Sequence, residues 1–250
     1  MLPGAEGFSH AGADVGVLLC HGFTGSPQSL RGWAVRLAAA GYTVELPLLP
    51  GHGTTWQEMN RTTWHDWYGA VDTTLTTVRA KCSAVVVAGL SMGGALALRL
   101  AAERPSDVDG LVLVNPALSL NDPRLAFLPL ARRLITSVSG VGDDIKRQGV
   151  TELAYDRVPL NALASMIALF ADVIPRLGAV RQPLLLLRST NDRVVPASSS
   201  RHVIDAVAST DVTEILLEDS YHVATLDNDA DRIVEESLAF LSRLRAVKPR

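Results

Sequence analysis

The stretch that decides the fold is Ala84-Val-Val-Val-Ala-Gly-Leu-Ser91-Met-Gly-Gly-Ala-Leu-Ala-Leu-Arg-Leu100. An apolar run leads into Gly-x-Ser-x-Gly, and a helix-forming segment follows at once. A serine between a buried strand and a helix can be exposed on a sharp turn if its neighbours are small. The stretch therefore predicts a nucleophile elbow centred on Ser91. An incidental serine in a Gly-rich turn remains the alternative, whereas a phosphate loop is disfavoured because no GxxxxGK[ST] or GxGxxG follows a strand.

Outside this stretch, short apolar runs alternate with longer segments of helical period. The predicted strands are 15–20, 43–46, 84–88, 111–114, 184–187 and 214–217. Most are apolar throughout, as strands buried on both faces of a parallel sheet are. The predicted helices, each long enough for a crossover, are 30–40, 64–79, 92–102, 198–208 and 230–245. The pattern predicts an α/β fold with a doubly wound, mostly parallel sheet.

One interval breaks this alternation, because residues 115–183 are far too many for a single crossover helix. The interval is rich in Leu, Ile and Ala, has helical runs at 125–138 and 160–174, and is punctuated by prolines. Insertions of this kind commonly cover the carboxyl edge of the sheet, where open α/β folds bind ligands. We therefore predict a small helical cap at 116–183, inserted into a core made of 1–115 and 184–250.

The composition is that of an ordinary globular protein. Of 250 residues, 48% are hydrophobic and 20% charged, with a net charge of −3, which fits one large α/β domain. The mildly acidic balance argues against nucleic acid as a partner, since a phosphate backbone requires clustered cations. The one local excess is interpreted as the solvated end of a helix, and comprises Arg243, Arg245, Lys248 and Arg250.

The two cysteines and the N-terminus bear on location. Cys20 and Cys82 form no CxxC or zinc pattern and are predicted to be buried free thiols. The first seven residues lack the basic and apolar stretches of a secretory signal, so we expect a cytoplasmic protein. The uncharged run 82–98 approaches membrane length, but its glycines favour a buried strand running into a helix, and no integral membrane segment is expected.

A serine hydroxyl needs a base to accept its proton, and the base needs an acid to orient it. Both partners should lie on loops after later strands, with the acid first. Two of six histidines come late enough: His202, inside a predicted helix, and His222, after the last predicted strand. His222 is the better base.

Asp192 is the preferred acid because it directly follows the predicted strand 184–187. A role as a turn or N-cap aspartate is the alternative. The rivals lie on a predicted helix or turn, or too near His222 in sequence, and are Asp205, Asp211, Glu218 and Asp219.

Acyl transfer also needs donors for the negative charge that develops on the carbonyl oxygen. The N–H of Met92, at the start of a helix, is the first predicted donor. The second is the N–H of Phe23, in the loop after the strand 15–20. His21 and His52 are interpreted as braces of their loops. The scattered histidines lack HExxH spacing, so neither a metal nor a cofactor is predicted.

Five motifs together resemble the α/β-hydrolase superfamily, and most closely its bacterial carboxylesterase and monoacylglycerol lipase branch. They are His21-Gly-Phe-Thr-Gly-Ser-Pro, Pro50-Gly-His-Gly, Gly89-Leu-Ser-Met-Gly-Gly, Asn191-Asp-Arg-Val-Val-Pro and Ser220-Tyr-His-Val-Ala-Thr-Leu-Asp. The resemblance spans essentially the whole chain. It implies Ser91, Asp192 and His222 as a catalytic triad, Phe23 and Met92 as oxyanion donors, and a helical cap over an acyl pocket.

These features predict a cofactor-free serine carboxylic-ester hydrolase that acts on short- to medium-chain acyl esters, monoacylglycerols among them. A thioesterase or acyltransferase would use the same triad, and a non-catalytic relative that binds a small ligand is the alternative from another class. An apolar wall beside Ser91 is expected from those cap residues that the core does not bury, drawn from Leu125, Phe127, Leu128, Leu130, Leu134, Met166, Ile167, Leu169 and Phe170.

Overall fold

The computed structural model describes residues 1–140 and 143–247, with side chains as far as Leu244. Seven strands form one sheet in the order β1-β3-β2-β4-β5-β8-β9, in which β1 is antiparallel to β3 and every other pairing is parallel. These strands are β1 (Phe8–His10), β2 (Val15–Cys20), β3 (Thr43–Leu46), β4 (Ala84–Leu90), β5 (Gly110–Val114), β8 (Leu184–Ser189) and β9 (Val212–Leu217). The predicted α/β class and mostly parallel sheet are confirmed.

Eight α-helices connect and cover the strands in the described part of the chain. They are α1 (Gln28–Ala39), α2 (Trp56–Met59), α3 (Trp64–Arg79), α4 (Met92–Glu103), α5 (Leu128–Leu134), α6 (Leu160–Val173), α7 (Ala197–Ala206) and α8 (Ala230–Val247). The five helices predicted outside the interval 115–183 are all present, with ends within two residues of the predicted ones. Strand β1, only three residues long and at the sheet edge, was not predicted because it is too short to show a period.

The sheet has a hydrophobic core on each face, which explains the unbroken apolar runs. Along β4, Val85 and Val87 pack into the core beneath α3, α4 and α6, while Val86 and Ala88 pack into the core beneath α1 and α8. Successive side chains of a strand point to opposite faces, so both sets must be apolar. Cys20 and Cys82 are buried and free, as predicted.

The chain between β5 and β8, residues 115–183, is hereafter the inserted segment. It holds α5, α6, two 3₁₀ turns (Pro123–Phe127 and Ile174–Ala179) and a two-stranded antiparallel sheet of β6 (Ser137–Ser139) and β7 (Arg157–Pro159). The division of the chain into a core and a cap at 116–183 stays a prediction.

The continuous helix predicted at 125–138 is wrong. A 3₁₀ turn precedes α5, the helix ends at Leu134, and Val138 lies in β6 opposite Val158. The run from Ile135 to Val138 contains three β-branched residues, which favour extended backbone. The apolar pattern extends past the end of α5 because these residues lead into and form β6.

Among the described residues, one helical run, Leu160–Ala179, is long and apolar enough to cross a membrane by length and composition alone. In the fold this helical run packs against the rest of the protein, since Leu163, Met166 and Phe170 are buried in the core shared with α4.

Of the cations near the C-terminus, Arg243 pairs with Asp211 at 2.6 Å. The remaining tail cations lie outside the described side chains.

The turn from β4 into α4 depends on glycine at two positions. A Cβ at Gly93 would lie 1.9 Å from the carbonyl oxygen of Cys20, and a Cβ at Gly89 would lie 2.3 Å from the carbonyl oxygen of Gly93. The clashing atoms are backbone, which a side-chain rotation cannot move. These contacts bring the start of α4 directly against the end of β2.

Gly93→Ala is therefore expected to lower the free energy of unfolding by about 3 kcal/mol or more, because β2 and α4 must separate to admit the methyl group. Urea unfolding followed by circular dichroism measures this change. Gly32→Ala is the matched control, because Gly32 lies within α1 and a methyl group added there would have no atom within 4 Å. The control should be neutral or up to about 1 kcal/mol more stable, and an equal loss in both variants would contradict the argument.

Candidate active site

Ser91 lies between the end of β4 and the first residue of α4. Its backbone has φ 57° and ψ −120°, a conformation that is strained for a residue with a side chain. Hydrogen bonds hold it there: its N–H donates to Val114 O at 3.0 Å, and its carbonyl accepts from Gly94 N–H at 2.9 Å and Ala117 N–H at 3.1 Å. This is the sharp strand-to-helix turn that the glycine pattern predicts. Backbone strain that surrounding hydrogen bonds hold in place is typical of a functional site.

His222 and Asp192 are in direct contact. Nδ1 of His222 lies 2.7 Å from Oδ2 of Asp192, and both side chains are buried. Oδ1 of Asp192 accepts the N–H groups of Val194 and Val195, each at 2.8 Å, which fixes the carboxylate. With the Nδ1 proton directed at a carboxylate, Nε2 is left as the acceptor.

The environment of His222 favours its protonated form. Burial opposes the charge, but the hydrogen bond and negative charge of Asp192, with further contributions from Glu152 and Asp144, raise the pKa of His222 above its ordinary value. A base of this kind accepts a proton readily, because the neighbouring carboxylate stabilises the imidazolium that forms.

Ser91 and His222 open into the same cavity, which has a volume of about 210 Å³. Most of its wall is apolar and comes from the inserted segment; the apolar lining side chains are Phe23, Ala117, Leu120, Leu125, Val138, Val158, Leu163, Met166, Val194 and Val223. Its charged lining residues are Asp122, Arg124, Asp143, Asp144, Glu152 and His222. The cavity thus combines a largely apolar wall with several charged side chains, as sites for small amphiphilic ligands do.

The apolar wall differs in part from the expected set. Of the nine predicted residues, Leu125 and Met166 line the cavity. Leu128, Leu169 and Phe170 are buried in the core, and Ile167 is partly buried against it. Phe127, Leu130 and Leu134 face outward and are 70%, 60% and 76% exposed. Because the predicted helix 125–138 breaks, its apolar residues do not share the single face that a continuous helix would have given them.

The loop after β2 approaches Ser91 closely. A Cβ at Gly22 would lie 3.6 Å from Cβ of Ser91, and Phe23 lines the cavity. Within the described ranges, neither the N–H of Phe23 nor that of Met92 has a hydrogen-bond partner. Two amides with unused donors therefore lie beside Ser91, one of them at the positive end of α4.

His21 and His52 each contact the backbone of their own loop, as predicted, and Nδ1 of His52 lies 3.1 Å from Pro50 O. Nδ1 of His21 lies 3.0 Å from Gly22 O, and its Nε2 accepts the N–H of Leu49 at 3.2 Å. Burial lowers the pKa of His21 to about 4 and that of His52 well below its ordinary value, so both rings are neutral. His202, the rival base, is exposed on α7 and has no part in the cavity.

Three polar residues at the site were not predicted. Glu152 and Asp144 lie in the inserted segment and line the cavity, while Asn115 follows β5 and donates through Nδ2 to the carbonyl of His222 at 2.8 Å. Asn115 carried a usable signal, because it comes directly after a buried strand, as Asp192 does. Glu152 and Asp144 carried none, since no periodic element contains them.

Burial raises the pKa of Glu152 to about 7, with the charge of Asp143 acting in the same direction and that of His222 opposing it. The Glu152 carboxylate has no hydrogen-bond partner among the residues that the structure describes. It is therefore a half-buried acceptor in the wall of the cavity. The residues described here also contain no group of three or more His, Cys, Asp or Glu side chains arranged to hold a metal ion.

Comparisons with known proteins identify the family. The Hydrolase_4 family, described as serine aminopeptidase S33, matches residues 12–229. A thermostable monoacylglycerol lipase from Bacillus sp. (strain H-257) is 40% identical over 97% of this chain and 96% of its own length, and a carboxylesterase from Bacillus subtilis (strain 168) is 26% identical over 95% and 96%.

Solved structures give the same result. A solved structure from work on LipS and LipT, two metagenome-derived lipolytic enzymes, superposes on this chain with a TM-score of 0.94 at 42% identity. The match covers 97% of this chain and 99% of that one. The resemblance inferred from the five motifs is confirmed. The chain belongs to the serine aminopeptidase S33 family of α/β-hydrolases and, like its lipase and carboxylesterase relatives, is a serine ester hydrolase.

Proposed function

We propose that the protein hydrolyses short- to medium-chain acyl esters, including monoacylglycerols, through an acyl-enzyme formed on Ser91. The observation that carries this proposal is the Asp192–His222 pair, which opens with Ser91 into one largely apolar cavity. The monoacylglycerol lipase relative supports the same substrate class.

The proposed reaction begins when the Ser91 hydroxyl attacks the ester carbonyl and His222 Nε2 takes its proton. Asp192 stabilises the imidazolium, while the N–H groups of Phe23 and Met92 stabilise the negative charge on the carbonyl oxygen. The imidazolium then protonates the departing alcohol, and the acyl group remains on Ser91. His222 next deprotonates a water molecule, which attacks the acyl carbonyl. The bond to Ser91 Oγ then breaks, the imidazolium returns the proton to that oxygen, and the carboxylic acid leaves.

The test is a screen of purified protein over p-nitrophenyl esters, monoacylglycerols, thioesters and amides of graded acyl length. Each buried methylene contributes about 0.8 kcal/mol, so kcat/KM for esters should rise about fourfold per methylene until the apolar wall is covered and then level off or fall. A profile independent of acyl length would contradict an acyl pocket. Faster turnover of thioesters or amides than of matched esters would contradict the proposed substrate class.

Glu152 suits the alcohol part of a monoacylglycerol. Its half-buried carboxylate lines the cavity and has no partner among the described residues, so a glyceryl hydroxyl could donate to it. A hydrogen bond to a charged group contributes about 1.5 to 3 kcal/mol. Glu152 would then distinguish a hydroxylated alcohol from a simple one.

Glu152→Gln is expected to raise KM for a monoacylglycerol about tenfold, while KM for a p-nitrophenyl ester of the same acyl chain changes little, because that leaving group has no hydroxyl to donate. The kinetics should be measured near pH 9, well above the pKa of Glu152 at about 7, where the wild-type carboxylate is charged. Glu218→Gln, at an exposed glutamate, is the matched control. Equal effects on both substrates would refute this role.

A further inference from the structure

Asp144 belongs to the inserted segment, yet its contacts are with the two loops that carry Asp192 and His222. Its Oδ2 accepts the backbone N–H of His222 at 3.1 Å and that of Arg193 at 3.3 Å. Its own carbonyl accepts the N–H of Val223 at 3.1 Å. One buried residue is thus bonded to the base itself and to the residue next to the acid.

A second carboxylate makes the reciprocal contact. Asp227, in the loop that carries His222, is fully buried and accepts the N–H groups of Lys146 at 2.7 Å and Arg147 at 2.8 Å. It also accepts the N–H of Tyr221 at 2.9 Å. Residues 144–147 and the histidine loop, residues 218–229, therefore hold each other through carboxylate-to-amide bonds in both directions.

The peptide of His222 is held from two sides. Asn115, the residue directly after β5, donates to its carbonyl, and Asp144, farther along the inserted segment, accepts its N–H. Loss of the Asp144 carboxylate would leave the N–H of His222 unpaired in a buried site, which favours a shift of the loop to find another acceptor. A displacement of about 1 Å at a reacting group can lower a rate about 100-fold.

The charge of Asp144 also acts on the ring. The charged groups that raise the pKa of His222 are Asp192 on the acid loop and Glu152 and Asp144 on the inserted segment, against the opposing effect of burial. Asp143, Asp122 and Arg124 line the same cavity, and the guanidinium of Arg193 stacks on the ring of Tyr221 at 3.6 Å from its centroid. Asp144 is the one among them that also bonds to the His222 backbone.

We propose that Asp144 is a positioning residue, through which the inserted segment holds His222 in the orientation that pairs its ring with Asp192. The proposal rests on the function proposed above, in which His222 is the base. Because Asp144 also lines the cavity, the contact that orients the base lies in the wall that the substrate touches. Substrate binding and the orientation of the base are thereby linked through one side chain.

The experiment compares wild type with Asp144→Ala and Asp144→Asn on a soluble p-nitrophenyl ester. Asp144→Ala removes both acceptor and charge, so kcat should fall about 30- to 100-fold while KM changes less than about threefold. Asp144→Asn keeps an oxygen where Oδ2 accepts both N–H groups, so kcat should recover to within about fivefold of wild type. In this variant the acid limb of the pH profile should move to lower pH, because a neutral side chain no longer stabilises the imidazolium.

Asp219→Asn is the matched control. Asp219 is three residues from His222 and pairs with Lys146 of the inserted segment, but it is exposed and does not bond to the His222 backbone. The substitution removes one carboxylate charge from the histidine loop, as Asp144→Asn does from the inserted segment, and its acid limb should not move. Thermal unfolding of each variant separates a loss of fold from a loss of position.

Unchanged kcat in a folded Asp144→Ala variant would overturn the proposal. So would equal losses in the Ala and Asn variants with an unmoved acid limb, since that result indicates a structural role alone. If wild type neither hydrolyses esters nor reacts with a fluorophosphonate, the proposed function fails, and the positioning role fails with it. Ester hydrolysis by wild type with a normal Asp144→Ala variant would overturn the positioning role alone.

Discussion

Ser91→Ala is expected to abolish ester hydrolysis, with kcat at least about 10⁴-fold below wild type, and to abolish labelling by a fluorophosphonate. The hydroxyl is the atom that would form the acyl-enzyme, and the remaining amide donors and cavity can supply no more than about 10³- to 10⁴-fold over water. Alanine keeps the Cβ, so the strained backbone and its hydrogen bonds should persist. The thermal unfolding midpoint should therefore be close to that of wild type.

The matched control for this prediction is Ser198→Ala, at an exposed serine on α7. It should hydrolyse esters and take up the probe like wild type. Mass spectrometry of the labelled wild-type protein should place the adduct on the peptide that contains Ser91. A modified peptide elsewhere in the chain, or residual turnover in a pure Ser91→Ala preparation, would reject Ser91 as the nucleophile.

Asp192→Asn is expected to lower kcat about 10³- to 10⁴-fold. An amide can present its NH₂ group to Nδ1 of His222, which then becomes the acceptor and leaves the proton on Nε2. The imidazole would be held in the tautomer that cannot take the Ser91 proton. The substitution changes few atoms, so a large loss would report tautomer and charge rather than packing.

The same variant predicts a pH effect with a definite sign. The carboxylate raises the pKa of His222, so activity of the wild type falls as pH decreases through that raised value. Without the charge the pKa of His222 falls, and the acid limb of the residual activity should move to lower pH. Asp205→Asn, at the rival aspartate exposed on α7, should change neither kcat nor the limb. A loss below tenfold in Asp192→Asn would remove Asp192 from the proposed triad.

The parts of the site that were predictable depend on short-range or topological rules. Ser91 was predictable because strand, turn and helix are consecutive in sequence and leave a local pattern of glycines. Asp192 and His222 were predictable because they follow β8 and β9, neighbours in a parallel sheet, whose carboxyl ends must lie at one edge. Their roles in the reaction remain to be tested by the variants above.

The parts that were missed lie in the inserted segment. Strands β6 and β7 pair antiparallel in this segment, and neither Asp144 nor Glu152, which lie between them in sequence, is on a periodic element. Their positions follow from how this segment packs on the histidine loop, through Asp227 and the amides of Lys146 and Arg147. No local sequence rule encodes a contact between a carboxylate and amides some 80 residues away.

The burial of Cys20 has a practical consequence. Its thiol packs in the core beneath α3, α4 and α6, its residue is fully buried, and burial raises its pKa to about 12. Only the thiolate reacts rapidly with alkylating reagents, so Cys20 should be inert until β2 separates from its neighbours. The rate at which iodoacetamide modifies Cys20 in native buffer would therefore report the rate or extent of global opening of the protein, and this measurement does not depend on catalysis.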